Sequence, residues 1–240
     1  TMLMNNINAI KGWEYCGVFE NLNSSGIDMP YPPEEKSSNK EIFDAQSNGD
    51  AQWYKSPNNS EVYNFFTNHS EYGAGVHYAQ TFIESSENQR VLLKLGKGGM
   101  IRFWLNDVLV LEDDNQYNTE LDAYTYEVNL QKGVNRFLIK LAANGSNPYF
   151  ILRMEDLEGK PLKNYKTSFV NRNYRKSSVK EIGPKLIPHS VEKYFEEKLK
   201  NPDNDINLTK FNLFLTYYRN GRINKAMNLL EDWYKKHPKS

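Results

Sequence analysis

The chain has 240 residues, 39% hydrophobic and 13% aromatic, which is enough for one sizeable core and a smaller satellite unit. Its formal net charge is zero and it holds one cysteine, Cys16, which excludes an internal disulfide and any cysteine-built zinc centre. There is no run of about 18 apolar residues, so no helical membrane span is expected.

The N-terminal TMLMNNINAIKGW lacks the basic start, continuous apolar stretch and small-residue cleavage site of a signal peptide. The chain is therefore either cytoplasmic or a processed piece of an exported protein. Trp13, Tyr15, Val18 and Phe19 form an apolar first strand, expected to wrap a sandwich and pair at one edge. Cys16 within it reads as a small buried hydrophobe, because nothing beside it would lower its pKa. Tyr31-Pro32-Pro33 is expected to run extended and polyproline-like across the surface.

From Val76 to Asp156 the chain alternates apolar and polar residues, broken by Gly-Lys-Gly-Gly, Asn-Asp, Lys-Gly and Asn-Gly, which predicts antiparallel strands joined by tight turns. Gly96-Lys97-Gly98-Gly99 reads as a hairpin turn, since a strand and not a helix follows it. Val91, Leu93 and Leu95 share one face, as do Ile101, Phe103 and Leu105; both trios are core candidates. Trp104 is on the face opposite Phe103. It either stacks on a sugar or packs under a covering strand or loop, and the second reading is favoured. Tyr124 and Tyr126 share a face, with Thr125 and Glu127 opposite. Phe137-Leu138-Ile139 is apolar on both faces, which predicts a strand buried on both sides.

This pattern resembles the accessory β-sandwich of the galactose-binding-like, carbohydrate-module type. The resemblance is carried by Tyr78-Ala79, Trp104-Leu105-Asn106, Asp122, and Gly133 with Asn135. The lead-in also resembles that of certain bacterial modules: Trp13, Gly17-Val18-Phe19, Gly26-Ile27-Asp28, Tyr31-Pro32-Pro33-Glu34 and Gln52-Trp53, with Val18 and Ile27 departing from the usual proline and phenylalanine. The resemblance implies a mainly β, jelly-roll sandwich over residues 1–160. It also implies exported multidomain bacterial proteins, periplasmic or extracellular, some with transglutaminase-like or hydrolytic domains elsewhere.

Residues 1–159 hold 12 Lys and Arg against 22 Asp and Glu, a net −10, and the remainder carries +10. The basic stretch 161–187 is accordingly expected as a linker lying along the acidic face of the sandwich. Its interleaved Tyr165, Phe169 and Tyr174 would also suit nucleic acid, but no nucleic-acid fold surrounds them and the acidic half repels phosphate, so no nucleic-acid partner is expected.

Beyond Ile187 the period changes from two to about 3.6. Helices are predicted near Ser190–Lys200, with Asn201-Pro202 as a stop, and over Leu208–Asn220 and Ile223–Lys236. This unit, 188–240, resembles a tetratricopeptide repeat at Leu213, Tyr217, the turn glycine Gly221, Ala226 and Pro238, while Phe214 and Trp233 depart from the pattern. Solenoid repeats stack, so the unit is expected to be part of an array.

Signals for chemistry are few. His69, His77, His189 and His237 have no metal-ligand spacing. The adjacent Asp113 and Asp114 point in different directions and do not make a glycosidase pair. Within the oxygen-rich loop Glu112–Gln116, however, Asp113 and Asp114 are candidates for a calcium site, with solvated hairpin polarity as the default. No other cofactor is expected. Two classes of function remain. One is a non-catalytic recognition module for glycans, with candidate ligand residues Trp53, Tyr54, Tyr117, Asn118 and Asp122 supplying aromatic plates and hydrogen bonds. The other is a scaffold with protein or peptide partners, orienting a repeat array or a downstream domain of the same polypeptide.

Overall fold

The computed structural model describes residues 7–55, 64–65, 75–145, 148–168, 173–200 and 205–236. His69, Phe169, Asn201-Pro202, His237 and Pro238 lie outside the described residues. The strands are β1 (Glu14–Phe19), β2 (Ile42–Asp44), β3 (Asp50–Gln52), β4 (Tyr54–Lys55), β5 (Asn64–Phe65), β6 (Gly75–Ser85), β7 (Gln89–Gly98), β8 (Met100–Leu105), β9 (Val108–Asp113), β10 (Tyr124–Leu130), β11 (Gly133–Ala143), β12 (Tyr149–Glu155), β13 (Tyr165–Ser168) and β14 (Lys185–Leu186). The helices are α1 (Val179–Ile182), α2 (Ser190–Lys198), α3 (Ile206–Arg219) and α4 (Ile223–Lys236), so the chain is mainly β with a helical C-terminal unit.

Two antiparallel sheets face each other. One runs β4-β1-β6-β11-β8-β9, with β13 also pairing β6; the other runs β14-β10-β7-β12-β5. Between them Val91, Leu93, Leu95, Val128 and Leu152 meet Ile101, Phe103, Leu105, Phe137 and Ile139, all buried, as their alternation requires. The turns differ from expectation. Gly96-Lys97-Gly98-Gly99 is no hairpin, because β7 and β8 belong to different sheets; Gly99, at φ +100°, turns the chain from one layer to the other. Lys132-Gly133 likewise leads from one sheet to the other, as does Asn144-Gly145. Asn106-Asp107 is a true hairpin turn between β8 and β9, with φ of 51° and 67°.

The outer face of the larger sheet is covered by residues 19–53. Phe19, Ile27, Tyr31, Phe43, Ala51 and Trp53 close over Val76, Tyr78, Met100, Leu138 and Ala142, with Trp104 packed against them. This second layer is why β11 is buried on both faces and why Trp104 lies under a cover. Tyr31-Pro32-Pro33 does not run extended: Pro32–Glu34 is a 3-10 turn with Pro33 buried. The turn directs Glu34 inward, where Oε1 accepts from Tyr78 Oη at 2.6 Å and Lys140 Nζ at 2.9 Å. Arg136, 1% exposed, donates to the Pro33 carbonyl at 2.6 Å and to Gln80 at 3.1 Å. These buried cations are compensated as buried charge must be.

The basic stretch is more than a linker. β13 pairs with β6 and β14 with β10, so it crosses from one sheet to the other. Between them Tyr174 and Lys176 reach Asp107 at 2.8 and 3.2 Å, and Ser178 caps α1 with Glu181 closing the capping box. The predicted helices are present within two residues at each described end. α2, α3 and α4 share a small core of Leu213, Tyr217 and Ala226, with Phe195, Leu199, Phe214 and Leu229 around it.

Candidate functional site

The loop between β9 and β10, the richest in candidate ligand residues, is where the helical unit docks. Thr119 is buried there, and its hydroxyl accepts from the Lys97 amide at 2.9 Å. The Glu120 amide donates to the Arg219 carbonyl at 2.9 Å, while Glu120 Oε1 pairs with the Arg219 guanidinium at 2.6 Å. Arg222, just past the α3–α4 turn, donates to the Ala123 carbonyl at 2.7 Å and lies over the Tyr124 ring at 4.3 Å. Behind it Glu192 of α2, 6% exposed, accepts from Asn220 at 2.9 Å and lies 3.5 Å from Arg222 Nε.

Beneath this dock is a buried charge network. Lys97, 0% exposed, donates to the carbonyls of Gly99 (3.0 Å) and Asn115 and pairs with Asp113 at 3.0 Å. Asp113 also accepts from Tyr124 Oη and from Asn115. Burial works to raise the Asp113 carboxyl, but Lys97, Tyr124 and Asn115 outweigh it and hold it below its ordinary value. Burial pushes Lys97 down, against the pull of Asp113. Burial, and then the Asp113 charge, pushes the Tyr124 phenol well up.

Where sandwich and helices part, they leave a cleft of about 580 Å³. Its sandwich wall is Leu111, Glu112, Asp113, Asn115, Tyr124 and Tyr126; its helical wall includes Glu192, Lys193, Glu196 and Arg222 to Lys225, and Leu186 to His189 close one end. The half-buried Tyr126 is paired through its backbone in the β10 ladder, while its phenol faces the cleft with no side-chain hydrogen bond among the described residues. Burial raises its phenol; Arg222 works against this, while Asp113 and Glu112 reinforce it, and all three line the same cleft. His189 Nδ1 is shielded from solvent and has no hydrogen-bond partner among the described residues.

The sequence-predicted site residues do not converge on one another. Trp53 is corrected: at 5% exposure it belongs to the covering layer and offers no plate to a ligand. Tyr54 is half-buried against Tyr15, ring centroids 5.9 Å apart, and burial pushes its phenol up to about 12. Asp122 is committed to Arg153, with Oδ1 accepting from Nε at 2.8 Å and Oδ2 from the second guanidinium nitrogen. Tyr117, 53% exposed, and Asn118 do lie open on the loop beside Asn115. Asp113 and Asp114 bind different cations, Lys97 and Arg102 (2.5 Å), because adjacent residues point to opposite sides. At Asp113 the Lys97 ammonium already supplies positive charge. Among the described residues no group of three His, Cys, Asp or Glu could hold a metal ion, and no helix is long and apolar enough to cross a membrane. Sequence reasoning missed Tyr126, His189 and Arg222 as neighbours, because the cleft draws on β9, β10, β14, α2 and α4 at once.

No protein-family model matches the chain, and no curated protein matches it. Among solved structures it is similar to an anti-sigma factor domain-containing protein from Clostridium clariflavum, at 10% identity and TM-score 0.40, covering 74% of this chain and 50% of that one. It is similar to a β-glucosidase from Kluyveromyces marxianus in complex with glucose, at 16% and 0.36, covering 60% of this chain and 15% of the other. The PA14 domain of MpAFP antifreeze protein matches at 16% and 0.30, over 42% of this chain and 55% of that one. The chain thus corresponds to half or less of the first two proteins, and at these TM-scores none of the three likenesses carries an argument about function.

Proposed function

We propose that the chain is a non-catalytic recognition module that holds a hydroxyl-rich ligand, a glycan, in the cleft between the sandwich and the helical unit, with Tyr117 and Asn118 nearby on the β9–β10 loop. The observation that carries this reading is the half-buried Tyr126 ring in a cleft of about 580 Å³, its phenol unpaired and amides and carboxylates around it. An aromatic face binds the apolar side of a sugar ring, while Asn115, Asn224, Glu112 and Glu196 suit its hydroxyls. Binding is favoured over catalysis because three charged groups of the cleft lining are already engaged: Asp113 by Lys97, Arg222 by Ala123 and Glu192, and Glu196 by the Tyr217 hydroxyl at 2.6 Å. We also infer that α3 and α4 are tetratricopeptide-like, on the strength of Gly221 in their turn and the buried Ala226 at their crossing.

The test is a glycan array followed by calorimetric titration of each hit against the wild type, Tyr126→Ala and Tyr117→Ala. The wild type should bind in the micromolar to millimolar range, with Tyr126→Ala weakening binding about tenfold. Loss in Tyr117→Ala alone moves the site to the exposed loop. No binding at millimolar concentration overturns the glycan reading in favour of protein partners.

A further inference from the structure

We propose that α3 is a dimerisation seam whose occupant is a second copy of this chain, packed antiparallel. The helix is apolar on two opposite sides. Thr209, Leu213 and Tyr217 are buried in the helical unit, whereas Leu208, Phe211, Leu215 and Tyr218 are 56%, 56%, 37% and 57% exposed. At about 100° per residue the second set lies on the side away from the first. Its spacing of three, four and three residues is the a/d repeat of a coiled-coil seam, narrower than the face a helix turns to a globular core. A helix apolar on both sides suits a place between two layers, and among the described residues only the side with Thr209, Leu213 and Tyr217 is covered.

Charge selects the occupant. The positions flanking the stripe are Asn207, Asn212, Phe214 and Arg219, and there is no acidic residue anywhere in Ile206–Arg219. Arg219, the one charge among the four, is already paired with Glu120 at 2.6 Å. A partner helix with charged flanks would therefore find nothing to pair with, whereas an identical helix meets no like-charge repulsion. A closed two-fold dimer uses the same patch twice, and the stripe is its own complement when antiparallel: Leu208 faces Tyr218 of the other copy, and Phe211 faces Leu215. The antiparallel sense follows from the body docked at the Arg219 end. Residues 1–159 carry 12 Lys and Arg against 22 Asp and Glu. Parallel helices would set two such acidic bodies side by side; antiparallel helices keep them at opposite ends.

Sedimentation equilibrium of the full chain tests this. The mass should rise from 28.0 kDa towards twice that across the micromolar to millimolar range. Phe211→Glu with Leu215→Glu should weaken association at least tenfold with unchanged helical circular dichroism, since both side chains are exposed in the monomer. Orientation is read separately by cysteine cross-linking, with the buried Cys16 silent. Leu208→Cys mixed with Tyr218→Cys should give a disulfide-linked pair on mild oxidation, and Leu208→Cys alone should not. A monomer throughout overturns the proposal and leaves the stripe to a helix of another protein. Association unaffected by the double glutamate variant overturns it too, and self-cross-linking of Leu208→Cys overturns the antiparallel arrangement.

Discussion

Gly221, in the turn between α3 and α4, lies directly against Thr119 of the sandwich: a Cβ there would come within 2.9 Å of Thr119 Cγ2. Its φ of +72° is a second reason for glycine, because an L side chain is strained in that region. One residue thus closes the helix hairpin and lets it approach the loop that forms one wall of the cleft.

Gly221→Ala should therefore cost about 1–2 kcal/mol from the backbone conformation alone, with the Thr119 contact adding to it. Urea denaturation read by circular dichroism checks this. Thr119→Ser in the same background, which removes Cγ2 but keeps the hydroxyl that accepts from the Lys97 amide, should recover part of the loss.

Arg222 joins both walls, stacked on Tyr124 and donating to the Ala123 carbonyl. Arg222→Ala removes these contacts and leaves the buried Glu192 without its guanidinium, for a loss of about 1.5–3 kcal/mol. Limited proteolysis should show the helical unit cut well before the sandwich in this variant, whereas the wild type resists in both.

Ala226, 1% exposed, packs with Leu213 and Tyr217 in the core shared by α3 and α4, where the tetratricopeptide-like reading places a close crossing. Ala226→Leu should overpack it and lower stability by roughly 1–3 kcal/mol in thermal melts. No loss would mean that the crossing has room, contrary to the tetratricopeptide-like reading.

The buried pair of Lys97 and Asp113 gives stability a definite acid dependence. The Asp113 carboxyl titrates below its ordinary value of 3.8 in the folded chain, so its contribution is complete above 3.8 and is lost as pH falls through the lower, folded value. Urea midpoints measured from neutral pH downward should drop below about pH 4. Asp113→Asn should flatten that part of the curve while lowering stability at neutral pH, because the Lys97 ammonium loses its counter-charge.

Much of the sandwich core was legible because period-two alternation and one-sided burial are the same fact seen twice. Val91, Leu93 and Leu95 point inward for the reason their neighbours do not. The helix ends near Ser190, Gly221 and Ile223 were equally plain, from proline, glycine and the change of period. Lys97, Arg136 and Lys140 were not. Nothing local marks a buried cation, and the carbonyls that satisfy Arg136 and Lys140, those of Pro33 and Met29, lie more than a hundred residues away in the chain. Turn chemistry predicted where the chain bends but not which sheet it enters next, so crossings such as Gly99 looked like hairpins. In the same way, Tyr117 and Asn118 were visible as a polar loop with one aromatic, but Tyr126 reads as an ordinary strand residue until α2 and α4 are placed opposite it.

The most direct test of the cleft as the ligand site is an amide chemical-shift titration of the isotopically labelled chain with the strongest array hit. Shifts should concentrate at Tyr126, Leu186 to His189 and Asn224, with smaller changes at Tyr117 and Asn118, and should be lost in Tyr126→Ala. Shifts confined to residues away from both cleft walls, such as Asn88 to Arg90 and Gln131 at another end of the sandwich, would contradict the account.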